Sequence, residues 1–148
     1  MLLTTIQSLL HRELSKLRYE IQAYKKEANL WHIEKEIANS AGNLCLHLVG
    51  NLNTYIGATL GHTGYIRHRE KEFLLKGIAQ EELIKMIDDT IGMIATVLPN
   101  LSESILSQDY PGVVLKEKTS IEFFLVHLSG HLSYHLGQIN YHRRLLDL

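Results

Sequence analysis

Histidines are concentrated on one face of the last predicted helix. The chain has nine histidines among 148 residues, and His127, His131, His135 and His142 fall within about 80° of one another at 100° per helical residue. His131 and His135 are one turn apart, so their imidazoles lie on the same side of the helix. Two imidazole nitrogens at this spacing can bind a divalent metal ion, with zinc or nickel as the leading candidates.

A third histidine lies on a helix that is otherwise apolar nearly all round. His47 shares a polar stripe about 80° wide with Asn43, Asn51 and Thr54. A buried polar group costs free energy unless it finds a partner. Three imidazoles from two helices would leave coordination positions open for water or substrate, as in catalytic metal sites. We therefore predict a metal site at His47, His131 and His135. For any one of them alone, a hydrogen-bonded core histidine is the alternative.

Other polar residues are weaker candidates for contact with this site or with its substrate. His127 and His142 either support the ligands, contact a bound molecule or are plain surface residues. Tyr134 and Gln138 share the histidine stripe and either orient a ligand or pack in the ordinary way. No Asp or Glu lies within the two stripes, so no general base and no catalytic residue can be named. The full set of these weaker candidates is Asn43, Asn51, Arg67, His127, Tyr134, Gln138 and His142.

Four helices are predicted to position these residues within one domain, residues 1–148. Apolar residues recur at helical spacing and capping signals bound the segments, which run over 4–27, from Ser40 to about Leu60, over 80–98 and from Ser120 close to Leu148. With no succession of strands, the pattern predicts an all-α four-helix bundle. The connections of roughly 12 to 20 residues exceed the usual 2 to 8, which predicts long crossover connections. Residues 61–78 are predicted as a long loop, and 113–115 as a short extended piece.

The second helix has too little polar surface for an ordinary outer helix. Its apolar residues cover most of its circumference, so it is predicted to be buried on several sides. Either it lies at the centre of the bundle or one of its faces packs against another subunit. Cys45 points about 200° away from His47 on this helix and is predicted to be a packed core thiol.

Composition excludes several classes of protein. The formal net charge of −1, from 15 basic and 16 acidic residues, provides no broad attraction for nucleic acid. No stretch approaches the roughly 20 apolar residues of a membrane span. A single cysteine excludes an internal disulfide framework and, with no apolar export segment, predicts a cytoplasmic protein.

Two motifs resemble those of a known superfamily. The segment His-Leu-Ser-Tyr-His-Leu-Gly-Gln at 131–138 is similar to the last-helix signature of the DinB-like superfamily, and Asn-Leu-Cys-Leu-His-Leu-Val-Gly-Asn at 43–51 resembles its second-helix motif. The resemblance extends to the order of the helices and to the segment at 67–73, so it covers most of the chain.

The resemblance implies a four-helix bundle with a crossover topology, a homodimer, and a three-histidine metal site at His47, His131 and His135. It also implies an activity, because relatives include metal-dependent transferases that use low-molecular-weight thiols such as bacillithiol or mycothiol. Our first hypothesis is therefore a metal-dependent transferase that joins such a thiol to a small electrophile, with Arg67, Arg69 or Arg143 binding acidic groups of the thiol. A metal-dependent hydrolase and a non-catalytic dimeric metal-binding bundle are the alternatives.

Overall fold

The computed structural model describes every residue from Met1 to Leu148 and contains five α-helices and no strand. The helices are α1 (Leu2–Gln22), α2 (Ala41–Leu52), α3 (Arg69–Leu74), α4 (Gln80–Val97) and α5 (Ile121–Leu146). The only extended pairing is an isolated antiparallel bridge between Asp109 and Ser120. The prediction of an all-α protein is therefore confirmed.

Helix α1 ends five residues earlier than the sequence pattern predicts. The backbone N–H groups of Lys25 and Lys26 donate to the carboxylate of Asp147, at 2.6 and 3.3 Å. These tertiary hydrogen bonds replace the bonds that a further helical turn would make. The chain then forms a short 3₁₀ turn over Glu27–Trp31.

Helix α2 begins as predicted, with the Ser40 side chain accepting a hydrogen bond from the backbone N–H of Asn43. All twelve of its residues are buried, and it packs against α3, α4 and α5 within the same chain. This packing corresponds to the central position that its apolar surface predicts. The helix continues through a π-helical turn at Asn53–Ala58 and a final turn at Thr59–Gly61, and His62 ends it with a positive φ of 51°.

Helices α1, α4 and α5 complete the core around α2. Helix α1 packs along both α4 and α5, and a single cluster of 30 buried apolar residues joins all four long helices. Cys45 is fully buried within this cluster, and burial raises the pKa of its thiol to about 12. The thiol is therefore protonated and inert at neutral pH, as predicted for a core cysteine.

Helix α3 lies within residues 61–78, where the sequence pattern predicts only a loop. It has six residues, which is too short for a clear apolar period. Residues 113–115, predicted as an extended piece, form no strand. No helix of the structure is both long enough and apolar enough to cross a membrane.

Candidate metal centre

Helices α2 and α5 bring His47, His131 and His135 together, and we call these three residues the histidine triad. One ring nitrogen from each lies within 4.8 Å of the corresponding nitrogens of the other two. The ring centroids are 5.1 Å apart for His47 and His131, 5.3 Å for His47 and His135, and 4.6 Å for His131 and His135. The structure thus brings together the three residues that the sequence singled out as metal ligands.

One pair of nitrogens in the triad has the separation that a shared metal ion requires. His47 Nε2 and His131 Nε2 are 3.2 Å apart. Two nitrogens at about 2.0 to 2.1 Å from a tetrahedral zinc ion are separated by roughly 3.3 Å. Both the type of the donor atoms and this distance therefore fit a bound divalent ion.

A buried carboxylate fixes the orientation of His47. Glu72 Oε1 lies 3.1 Å from His47 Nδ1, and Arg67 donates to both carboxylate oxygens, at 2.8 and 2.9 Å. The carboxylate can only accept, so the proton of His47 belongs on Nδ1 and the lone pair of Nε2 faces the triad. Burial raises the pKa of Glu72, but its hydrogen bonds with His47 and Arg67 outweigh that effect and the pKa is lowered overall.

Glu72 is the functional residue that sequence reasoning missed. The sequence showed no acidic side chain within either histidine stripe, whereas the structure brings Glu72 to the triad from the short helix α3. Asn43 Nδ2 donates to the backbone carbonyls of Glu72 and Leu75, at 2.8 and 2.9 Å, and so holds α3 against α2. The signal available in the sequence was the segment at 67–73, which contains both Arg67 and Glu72.

Gly50 provides the space that the Glu72 carboxylate occupies. A Cβ at position 50 would lie 1.9 Å from Glu72 Oε2 and 3.4 Å from Arg67 Nε. A larger residue at position 50 would therefore displace the carboxylate from its place beside His47.

His135 is oriented by its own helix, and both histidines of α5 favour the neutral form that binds metals. His135 Nδ1 donates to Gln138 Oε1 at 2.7 Å, which leaves Nε2 for the triad. Burial lowers the pKa of His131 to about 4, with a further contribution from the neighbouring histidines. Burial also lowers the pKa of His135. A neutral imidazole is the species that coordinates a metal ion.

Comparison with known proteins places the chain in a family without an assigned activity. Residues 4–147 match the family described as "Protein of unknown function (DUF1572)". The chain belongs to this family. No curated protein matches it.

The remaining candidates of the DUF1572 chain fall into two groups. His127 is exposed and stacks on His131, with 6.3 Å between ring centroids. Tyr134 is exposed and contacts His135 edge-on at 5.3 Å. His142, by contrast, has both ring nitrogens bonded within the protein. Its Nδ1 accepts from the Tyr24 hydroxyl at 2.7 Å and its Nε2 donates to the His32 carbonyl at 2.8 Å. His142 is therefore held by hydrogen bonds within the protein, and it lines the same pocket as His135.

Two pockets flank the triad along α5. A pocket of about 200 Å³ contains His47 and His131 in its wall, and we call it the triad pocket. A second pocket, of about 530 Å³, contains His135 and Gln138. A groove of about 760 Å³ between α1 and α5 contains no triad residue. Its buried carboxylates, Glu13 and Glu20, are paired with neighbouring basic side chains.

Proposed function

We propose that this protein is a metal-dependent transferase that joins a low-molecular-weight thiol to a small electrophile. The proposal rests chiefly on one observation, the convergence of three imidazoles with no carboxylate among the donor atoms. His47, His131 and His135 would hold the metal ion, for which zinc or nickel suits the nitrogen donors. A divalent ion with three uncharged ligands keeps its full charge and lowers the pKa of a thiol bound to it.

The surrounding residues act on the imidazoles. Glu72 keeps the proton of His47 on Nδ1, and Arg67 keeps Glu72 ionised and in place. Gln138 does the same for the Nδ1 proton of His135. These contacts preorganise the lone pairs of the ligands and increase their basicity, a contribution that is typically worth 10- to 100-fold in metal affinity.

The absence of a free carboxylate at the pocket favours thiol transfer over hydrolysis. No Asp or Glu is among the residues that line the triad pocket, and Glu72 is already bonded to His47 and Arg67. Metal-dependent hydrolysis commonly relies on a carboxylate that takes a proton from water. A thiol that has lost its proton to solvent needs no such base: its sulfur forms a bond to the electrophilic carbon as the bond from that carbon to the leaving group breaks.

The same proposal includes a DinB-like bundle, a single domain, a cytoplasmic location and a homodimer. The bundle is supported by the two histidine motifs, the four long helices and their long connections. The single domain is supported by the single buried cluster. The dimer is supported by apolar side chains of α5 that are more than half exposed, namely Phe123, Val126, Tyr134, Tyr141 and Leu145. Such a row on one helix is unusual for a surface that faces only water.

The metal site is tested by elemental analysis of protein purified without a histidine tag. We expect about one divalent ion per chain in the native protein and in the control His11→Ala, which removes an exposed histidine of α1 that lines neither pocket beside the triad. We expect the ion to be lost in His135→Ala. Unchanged metal content in His135→Ala would overturn the assignment of the ligands.

The activity is tested by incubating metal-loaded protein with a panel of cellular thiols and a small electrophile. Formation of the thioether should depend on the metal and disappear in His135→Ala. Metal binding without turnover of any thiol in the panel would contradict the transferase and leave a non-catalytic metal-binding protein.

A further inference from the structure

The triad pocket is lined by both polar and apolar side chains. Besides His47 and His131, its lining includes the polar side chains of Asn51 and Arg69 and the apolar side chains of Phe124 and Leu128. At about 200 Å³ it is smaller than the roughly 300 to 1,000 Å³ of sites for drug-sized ligands. It is far larger than the roughly 30 Å³ that one water molecule occupies.

Two buried polar atoms of residues that line this pocket have no hydrogen-bond partner in the protein. They are Asn51 Oδ1 and His131 Nδ1, and the Asn51 residue is only 7 % exposed. Asn51 Oδ1 can only accept a hydrogen bond, whereas His131 Nδ1 donates when Nε2 is used toward the triad. Unpaired buried polar atoms are rare and costly, so the free acceptor of Asn51 in the lining of this pocket indicates a bound group that donates to it.

The pocket also presents a positive charge that no carboxylate neutralises. Arg67 is paired with Glu72, but the Arg69 guanidinium makes no ion pair and lies over the Phe73 ring, 5.4 Å from its centroid. Since no Asp or Glu lines the pocket, Arg69 is available to bind an anionic group of a ligand.

We infer that the triad pocket binds a small organic carboxylate that carries a hydroxyl or amino group beside the carboxylate. Arg69 binds the carboxylate, and the neighbouring O–H or N–H donates to Asn51 Oδ1. The apolar part of the ligand packs against Phe124 and Leu128. This inference rests on the proposed function, because it takes the carboxylate to be one of the two substrates of the transferase and to bind beside the metal ion.

Calorimetric titration with three matched probes tests the inference, using metal-loaded and metal-free full-length protein. Mandelate has the carboxylate, the neighbouring hydroxyl and an apolar ring; phenylacetate lacks only the hydroxyl; and mandelamide lacks only the charge. We expect mandelate to bind about tenfold more tightly than either of the others, because each comparison removes one hydrogen-bonding or charged contact of the pocket.

Variants assign these differences to residues. Asn51→Leu should remove the preference for mandelate over phenylacetate, and Arg69→Gln should weaken the binding of both acids about tenfold but leave mandelamide unchanged. Lys71→Gln, a change of an exposed basic residue on the same helix outside the pocket, is the control and should bind all three probes as the native protein does. Arg69 is also exposed, so Arg69→Gln tests the site even where Asn51→Leu does not fold.

Equal binding of the three probes, or a preference that neither variant alters, would overturn the inference and leave water as the partner of the unpaired atoms. A failure of the proposed function would be detected by different measurements, namely the metal content and the formation of the thioether. Probe binding that persists in a protein without transferase activity would thus support the pocket while removing the transferase.

Discussion

His131 and His142 lie on the same face of α5, but the structure surrounds them differently. His142 is buried with both ring nitrogens bonded, one to the Tyr24 hydroxyl and one to the His32 carbonyl. His131 has one nitrogen directed at another imidazole and the other without a partner. The comparison shows that position on a helical stripe does not separate a structural histidine from a candidate ligand. The hydrogen-bond partners contributed by other segments do.

The largest effect that we expect is a loss of folding stability when His142 is replaced. His142→Ala removes two buried hydrogen bonds, leaves the Tyr24 hydroxyl unpaired and creates a cavity, so we expect the free energy of unfolding to fall by about 3 kcal/mol. Urea denaturation of metal-free protein measures it. The exposed His127→Ala should change stability by no more than about 0.5 kcal/mol. Equal losses in the two variants would show that the His142 contacts are not structural.

A slightly smaller effect is expected at His131, where a bound metal ion should raise the free energy of unfolding. Free metal at 100 times its dissociation constant should raise the free energy of unfolding by about 2.7 kcal/mol. Native protein and His142→Ala should both show this increase, and His131→Ala should show almost none. Denaturation curves recorded with and without zinc measure this increase for each protein. A full increase in His131→Ala would remove that histidine from the site.

A third prediction concerns the space that Gly50 leaves for Glu72. Gly50→Ala should displace the carboxylate from His47 Nδ1 and weaken metal binding about tenfold, within the range expected for a lost contact to a ligand. The matched control is Gly130→Ala, since a Cβ at that position of α5 meets no atom within 4 Å. Competition with a chromogenic chelator measures both affinities. An unchanged affinity in Gly50→Ala would show that Glu72 does not act on the metal site.

The smallest effect expected is a dependence of stability on pH that originates at His142. Burial lowers the pKa of His142, although its hydrogen bond to the His32 carbonyl acts in the opposite direction. Between the lowered pKa and the ordinary value near 6.5 the unfolded chain binds more protons than the folded one. The stability contributed by neutral His142 is thus complete above that window and is lost as pH falls through it.

Urea denaturation of metal-free protein across this pH range measures the dependence. His142→Gln, which has no titrating group at this position, should show a shallower fall in stability below pH 6.5 than the native protein. A steeper fall in the variant would contradict the direction assigned to the pKa of His142.

Much of the helical framework can be predicted from the sequence because its signals are local. Ser40 and Ser120 cap α2 and α5 where a hydroxyl precedes an apolar period, and four long helices follow from spacing alone. The end of α1 could not be predicted, because it depends on Asp147, more than 120 residues away. Helix α3 could not be predicted either, because six residues are too few to show a period.

For the candidate site, the sequence by itself determined which residues offer nitrogen donors on a common face. Helical geometry places His131 and His135 one turn apart whatever else the chain does, and the apolar surroundings of His47 direct it inward. Only the tertiary structure decided that His47 meets the other two, that Glu72 and Arg67 support it, and that His142 is bonded elsewhere. The physical reason is range: helical periodicity acts over a few residues, whereas these hydrogen bonds join atoms that lie far apart in the chain and come together only when the helices pack.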